Sequence, residues 1–211
     1  DDVTVKNIYN DNAGVTVNPI SGLETTEGVG TAQFTIRLNS QPTVDVKINL
    51  SSSNINEGTV SSLPCTFTTA NWSTEQTFTI TGKNDSIVDG NVAYTIVTTM
   101  QTGSYTTYNK INPDDISVVN IDNDVAGFTV NPPGGLYTHE SGIPTQSFTV
   151  KLKSKPYANV SIALASNDES EGTIDKSSLT FTPTNWSVNQ LVTITGQNDD
   201  IDDESKAYTI I

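Results

Sequence analysis

The side chains in this sequence that can do chemistry are carboxylates. Twenty-four Asp and Glu stand against ten Lys and Arg in 211 residues, a formal net charge of -14. Glu27, Asp85, Asp89, Asp122 and Asp124 form one series, with Asn54, Asn56 and Glu57 among them. Glu140, Asp168, Glu171, Asp199, Asp200, Asp202 and Asp203 form a second. Carboxylate and amide oxygens without His or Cys suit Ca²⁺, which takes 6 to 8 oxygens in flexible geometry, better than Zn²⁺ or strictly octahedral Mg²⁺. Cys65 is the only cysteine and His139 the only histidine, which excludes an intrachain disulfide, a Cys/His zinc site and a His-based nucleophilic unit repeated in both halves. The acid excess disfavours nucleic acid as a partner, because phosphate contacts need Lys and Arg. No stretch approaches the roughly 20 apolar residues of a membrane helix, so no membrane insertion is expected.

The elements that position these acids come from an internal repeat. Gly14-Val15-Thr16-Val17-Asn18-Pro19 recurs as Gly127-Phe128-Thr129-Val130-Asn131-Pro132, and one extra residue near Gly142 raises the offset from 113 to 114. Between Phe34–Ile96 and Phe148–Ile210, 31 of 63 positions are identical. Residues 1–13 match 114–126 and read as the last strand and linker of a preceding repeat. The complete repeat is 14–124, and 125–211 is a second repeat that stops before its final strand; the whole reads as a piece of a longer tandem array. Within the repeat, period-2 alternation of β-branched and aromatic residues predicts strands A (15–18), B (33–38), C (44–50), D (65–67), E (76–81), F (92–97) and G (116–121). Seven short strands in about 110 residues, bounded by Gly, Pro, Asn and Ser turns, predict an all-β chain of two tandem immunoglobulin-like Greek-key sandwiches.

Antiparallel connectivity then sorts the loops. The AB, CD and EF loops and the exit of strand G fall at one pole, so Glu27, Asn54, Glu57, Asp85, Asp89, Asp122 and Asp124 converge there. Like charges in so small a region repel, and a cation removes that cost. The second copy repeats the pattern with Glu140, Asp168, Asp199, Asp200, Asp202 and Asp203, without a strand-G exit.

Four motifs together resemble Calx-β repeats, and more closely the tandem Calx-β-like repeats of large bacterial surface and adhesin proteins. They are Thr25-Thr26-Glu27-Gly28-Val29-Gly30, Glu57-Gly58-Thr59-Val60, Asn84-Asp85-Ser86-Ile87-Val88-Asp89-Gly90 and Asn120-Ile121-Asp122-Asn123-Asp124. The resemblance implies Ca²⁺ held by Glu27, Asp85, Asp89, Asp122 and Asp124, and by Glu140, Asp199, Asp200 and Asp203; the loop positions add Asn54, Glu57, Asp168 and Asp202 as further candidate donors. The first copy departs from the richer acidic pattern at Ser86 and Val88, where the second has Asp200 and Asp202.

The expected function is a non-enzymatic spacer of an extracellular, cell-surface repeat protein, stiffened by Ca²⁺ where one repeat runs into the next. Its expected partners are the neighbouring repeats. The alternative is an adhesive module that binds a glycan or a host protein through Trp72 and Trp186, or through Tyr105 and Tyr108 in the long FG loop. For both tryptophans a hydrophobic plug competes with a sugar-stacking platform. Cys65 aligns with Leu179 and reads as a buried apolar filler; His139 aligns with Thr26 and reads as a solvated loop residue. The 3–8 segment, a strand G without its own sandwich, predicts head-to-tail self-association by strand addition.

Overall fold

The structure, a computed structural model, describes residues 2–28, 30–61, 65–101, 107–199, 201 and 204–211. The chain forms two compact units: Asp1–Asp85 with Asp89–Asn123, and Ser86–Val88 with Asp124–Ile211.

The first unit is a sandwich of two sheets. One has the order β1 (Val15–Asn18), β3 (Thr31–Leu38), β7 (Gln76–Gly82), β5 (Gly58–Val60). The other has the order β2 (Leu23–Thr26), β9 (Ile116–Ile121), β8 (Val92–Met100), β4 (Val46–Ser52), β6 (Cys65–Phe67). Strict alternation builds the interior, because side chains at i and i+2 share a sheet face. Ala32, Phe34, Ile36 and Leu38 of β3 point inward with Phe78 and Ile80 of β7, facing Val46, Ile48, Phe67, Ile96, Ile116 and Val118 of the other sheet. The rings of Phe34 and Phe78 stack with centroids 5.6 Å apart. Cys65, 1% exposed, belongs to this core as a small hydrophobe.

Two strands lie where the sequence pattern showed only loops. β2 falls within the AB connection and pairs in parallel with β9, Leu23 opposite Val118 and Thr26 opposite Ile121. β5 falls within the CD connection and pairs with β7. Neither has a local apolar alternation strong enough to mark it; both are held by ladders with residues distant in sequence.

The second unit repeats one sheet in full: β10 (Phe128–Asn131), β11 (Gln146–Leu152), β15 (Gln190–Gly196), β13 (Gly172–Ile174). Its other sheet consists, among the described residues, of β12 (Val160–Ala163) and β14 (Ser178–Phe181), with the 207–211 segment joined to Ala165 and Asn167 by backbone hydrogen bonds and a bridge from Ile210 to Ser166. Its core gathers Phe148, Val150, Leu152, Leu179, Phe181, Val192 and Ile194.

In both units a glycine lies under a tyrosine ring. A Cβ on Gly58 would collide with the Tyr94 phenol, and one on Gly172 with that of Tyr208. Tyr94 is 4% exposed and cannot swing into solvent without opening the core. Gly58→Ala is expected to destabilise the first unit by about 1–3 kcal/mol, the usual cost of overpacking, measured as a lower urea midpoint at unchanged slope.

Candidate metal site

The parallel pairing of β2 with β9 assembles the acidic group. Two parallel strands end side by side, so the residue after Thr26 and the residue after Ile121 emerge together. The ladder runs one step further, Glu27 N donating to Ile121 O at 3.1 Å. Glu27 and Asp122 therefore meet, and Asp124 lies two residues on along the same exiting segment. Ligand oxygens of Glu27, Asp122 and Asp124 all come within 4.8 Å of one another. Glu27 is buried, at 7% exposure, and Asp124 Oδ2 is shielded from solvent.

The neighbouring amides hold Glu27 and Asp122 in place. Asn123 N donates to Glu27 Oε2 at 3.3 Å, and Asn123 Nδ2 donates to Glu27 O at 2.9 Å and to Asn84 Oδ1 at 3.3 Å. Gly90, at φ 77°, turns its amide onto Asp122 Oδ2 at 2.8 Å, and Asp122 N donates to Asn91 Oδ1 at 3.1 Å. A left-handed backbone at that position suits glycine, and it fastens the EF loop to the strand-G exit. Asn123 was not among the candidate donors from the sequence; the signal was there in the alternating acids and amides of 120–124.

Other candidate residues are placed differently. Asp85 is half-buried and Asp89 exposed, and neither joins the three-carboxylate group. Asn54 Oδ1 accepts the amide of Asn56 within its own turn. Asp168 Oδ1 does the same for Ser170, and the Ser170 hydroxyl bond holds its carboxyl below the usual range. Glu57, 8% exposed, accepts from Asn120 Nδ2 at 3.4 Å. In the second unit Glu140 is exposed and Asp199 half-buried; Asp200, Asp202 and Asp203 lie outside the described residues. Trp72 and Trp186 are half-buried, each packed against the core of its unit. Tyr108, 3% exposed, donates its hydroxyl to Ser40 O at 2.6 Å, an interior position that a glycan cannot reach; Tyr105 lies outside the described residues. His139 is exposed.

The donor set is oxygen only, negatively charged and partly shielded. Two unit charges 4.8 Å apart repel by about 3 kcal/mol at an effective dielectric near 20, before screening by solvent. A hard divalent cation converts that repulsion into attraction. The chemistry of the group thus fits Ca²⁺ and offers nothing that Zn²⁺ would prefer.

No family model and no curated protein matches the chain. Among solved structures, the calcium binding domain CBD12 of CALX1.1 aligns at 15% identity over 88% of this chain and 76% of its own, with a TM-score of 0.41. The apo-form Calx CBD1 domain aligns at 13% identity over 54% of this chain and 100% of its own, TM-score 0.41. The periplasmic chaperone SfaE aligns at 11% identity over 93% and 98%, TM-score 0.39. At TM-scores of 0.39 to 0.41 these are loose resemblances, and the all-β, two-sheet architecture stands on the strand pairings themselves. No helix among the described residues is long and apolar enough to cross a membrane.

Burial pushes the Cys65 thiol up to about 12, so the thiolate is scarce at neutral pH. In the folded chain Cys65 should not react with a thiol reagent at pH 8, and should react at once in denaturant; rapid native-state modification would place it at the surface instead.

Proposed function

We propose that the chain is a non-enzymatic spacer from an extracellular repeat protein, an adhesin or a surface filament, stiffened by Ca²⁺ at the acidic group where the chain leaves β9. The observation that carries this reading is the meeting of Glu27, Asp122 and Asp124 within 4.8 Å. Near-duplication of the unit, with 31 of 63 positions shared, supports an array rather than a single catalytic cleft.

Glu27, Asp122 and Asp124 would hold the ion, with Asn123 positioning the Glu27 carboxylate and Gly90 that of Asp122. The ion supplies positive charge that ties the strand-β2 end to the segment leading away from β9. Only Val125, Ala126 and Gly127 separate Asp124 from Phe128 at the start of β10, so little chain is left free once Asp124 is fixed. Extracellular Ca²⁺ is millimolar, and dissociation constants of about 10⁻⁴ to 10⁻³ M, usual for extracellular modules, give useful occupancy.

Calorimetric titration with Ca²⁺, paired with thermal melts in Ca²⁺ and in chelator, tests the reading. Saturable binding is expected, with stabilisation of about 2.7 kcal/mol at a hundredfold excess over Kd, and both are expected to vanish in Asp122→Ala combined with Asp124→Ala. A heat-silent titration with superimposed melts would reduce the group to a solvated acidic surface and leave the adhesive alternative, for which a glycan array is the next measurement.

A further inference from the structure

Asp89-Gly90 is the only place in the chain where Asp or Asn precedes Gly. That pair has a covalent chemistry of its own. The nitrogen of the second residue is one bond short of a five-membered ring with the side-chain carboxyl carbon of the first, and glycine alone brings no Cβ to hinder closure. Both residues are exposed and lie outside any strand, in the connection from β7 to β8. Beyond the chain neighbours, no described residue comes within 4 Å of the position a Gly90 Cβ would take, so the ring has room to form.

One contact restrains it. Gly90 N donates to Asp122 Oδ2 at 2.8 Å. The nitrogen becomes a nucleophile only as it gives up that proton, and a carboxylate so close makes the resulting negative nitrogen costlier. The bond also holds the peptide plane to the strand-G exit. The second copy offers an internal contrast: Asp203-Glu204 stands where the first has Asp89-Gly90, and Glu204 shares the left-handed backbone at φ 63° against 77° for Gly90. The conformation is common to both copies, but in the second a side chain crowds the nitrogen.

We propose that Asp89-Gly90 is a self-modifying link that converts to isoaspartate and is held in check by the Asp122 carboxylate. Gly90 N attacks Asp89 Cγ and the N–Cγ bond forms; the amide proton and a carboxyl hydroxyl leave as water, giving a succinimide. Water then adds back. Breaking the N–Cγ bond restores aspartate, whereas breaking the bond from the nitrogen to the Asp89 main-chain carbonyl carbon leaves isoaspartate, with the backbone routed through Cβ and Cγ and the former main-chain carbonyl now a side carboxylate. Only water leaves and returns, and nothing is oxidised or reduced.

The product has one more atom in the backbone, which carries the Gly90 amide off Asp122 and unfastens the EF loop from the strand-G exit. Residues 86–88 group with the second unit and 89–123 with the first, so the altered link is the first one after the chain returns to the first unit. The chemistry needs no ion, and it touches the Ca²⁺ reading only by removing the amide that positions Asp122.

The test is to keep the chain in chelator at neutral pH and 37 °C for several weeks and digest samples with trypsin. Cleavage after Lys83, Lys110, Lys176 and Lys206 yields the 84–110 and 177–206 peptides, which are assayed with an isoaspartyl methyltransferase and sequenced by fragmentation against a zero-time sample. Isoaspartate is expected to accumulate at Asp89 and not at Asp203. Asp122→Ala should speed conversion at Asp89 about tenfold, the value of one hydrogen bond to a charged group. Asp122→Asn, which keeps an oxygen for the amide, should fall between, and Gly90→Ala should suppress the reaction. Buried Cys65, unreactive toward a thiol reagent, reports that each variant is folded. No isoaspartate at Asp89, equal rates in the unaltered and Asp122→Ala chains, or conversion at Asp203 as fast as at Asp89 would each overturn the proposal.

Discussion

The parallel ladder between β2 and β9 is the constraint on which the first unit depends. It joins residues about 95 positions apart and seals the sandwich on one side. It also sets Glu27 beside Asp122, so the same pairing that closes the core gathers the charges. A one-residue slip would turn Thr25 away from Tyr94 and Asn120, and it would move Glu27 off the strand-G exit. Asn120 guards against that slip: it is fully buried, and its amide is satisfied only where Thr25, Lys83 and Glu57 stand together. Fold and charge cluster are thus one piece of hydrogen bonding.

How far this could be read from the residues follows from the range of each interaction. Strands A, B, D, E, F and G are written in local alternation, and the buried positions of β3, β7 and β9 fall on the expected face. β2 is not, because Leu23-Glu24-Thr25-Thr26 becomes a strand only through a partner that arrives much later in the chain. Antiparallel order was enough to send the acidic loops to one pole, since that needs only counting. It did not resolve which of them touch. Asp85 and Asp89 share the pole with Glu27 but not its 4.8 Å group, because side-chain separation within a loop depends on turn geometry, here the left-handed Gly90. Tyr108 was misplaced for a related reason. An aromatic in a long loop looks available, yet its ring packs inward and its hydroxyl finds the Ser40 carbonyl.

The two units show what the repeat demands of its parts. Around β12 and β14 some residues sealed in the first copy are partly exposed, Val160 at 36% where Val46 is 0%, although Tyr208, Thr138 and Gly172 keep the relative places of Tyr94, Thr25 and Gly58. The local hydrogen bonds and the Tyr-over-Gly packing therefore belong to each half on its own. The seal over the core belongs to the last strand.

That the closing strand is last in sequence also matters for how such a chain comes to be folded. A repeat emerging from its N-terminal end can form β3, β4, β7 and β8 early, but its core stays open until residues near 121 are available to pair with residues near 23. Contacts of such long range are slow to form. Meanwhile a neighbour that shares about half its residues over 34–96 and 148–210 presents a nearly identical set of strands, the usual condition for misassembly between adjacent repeats.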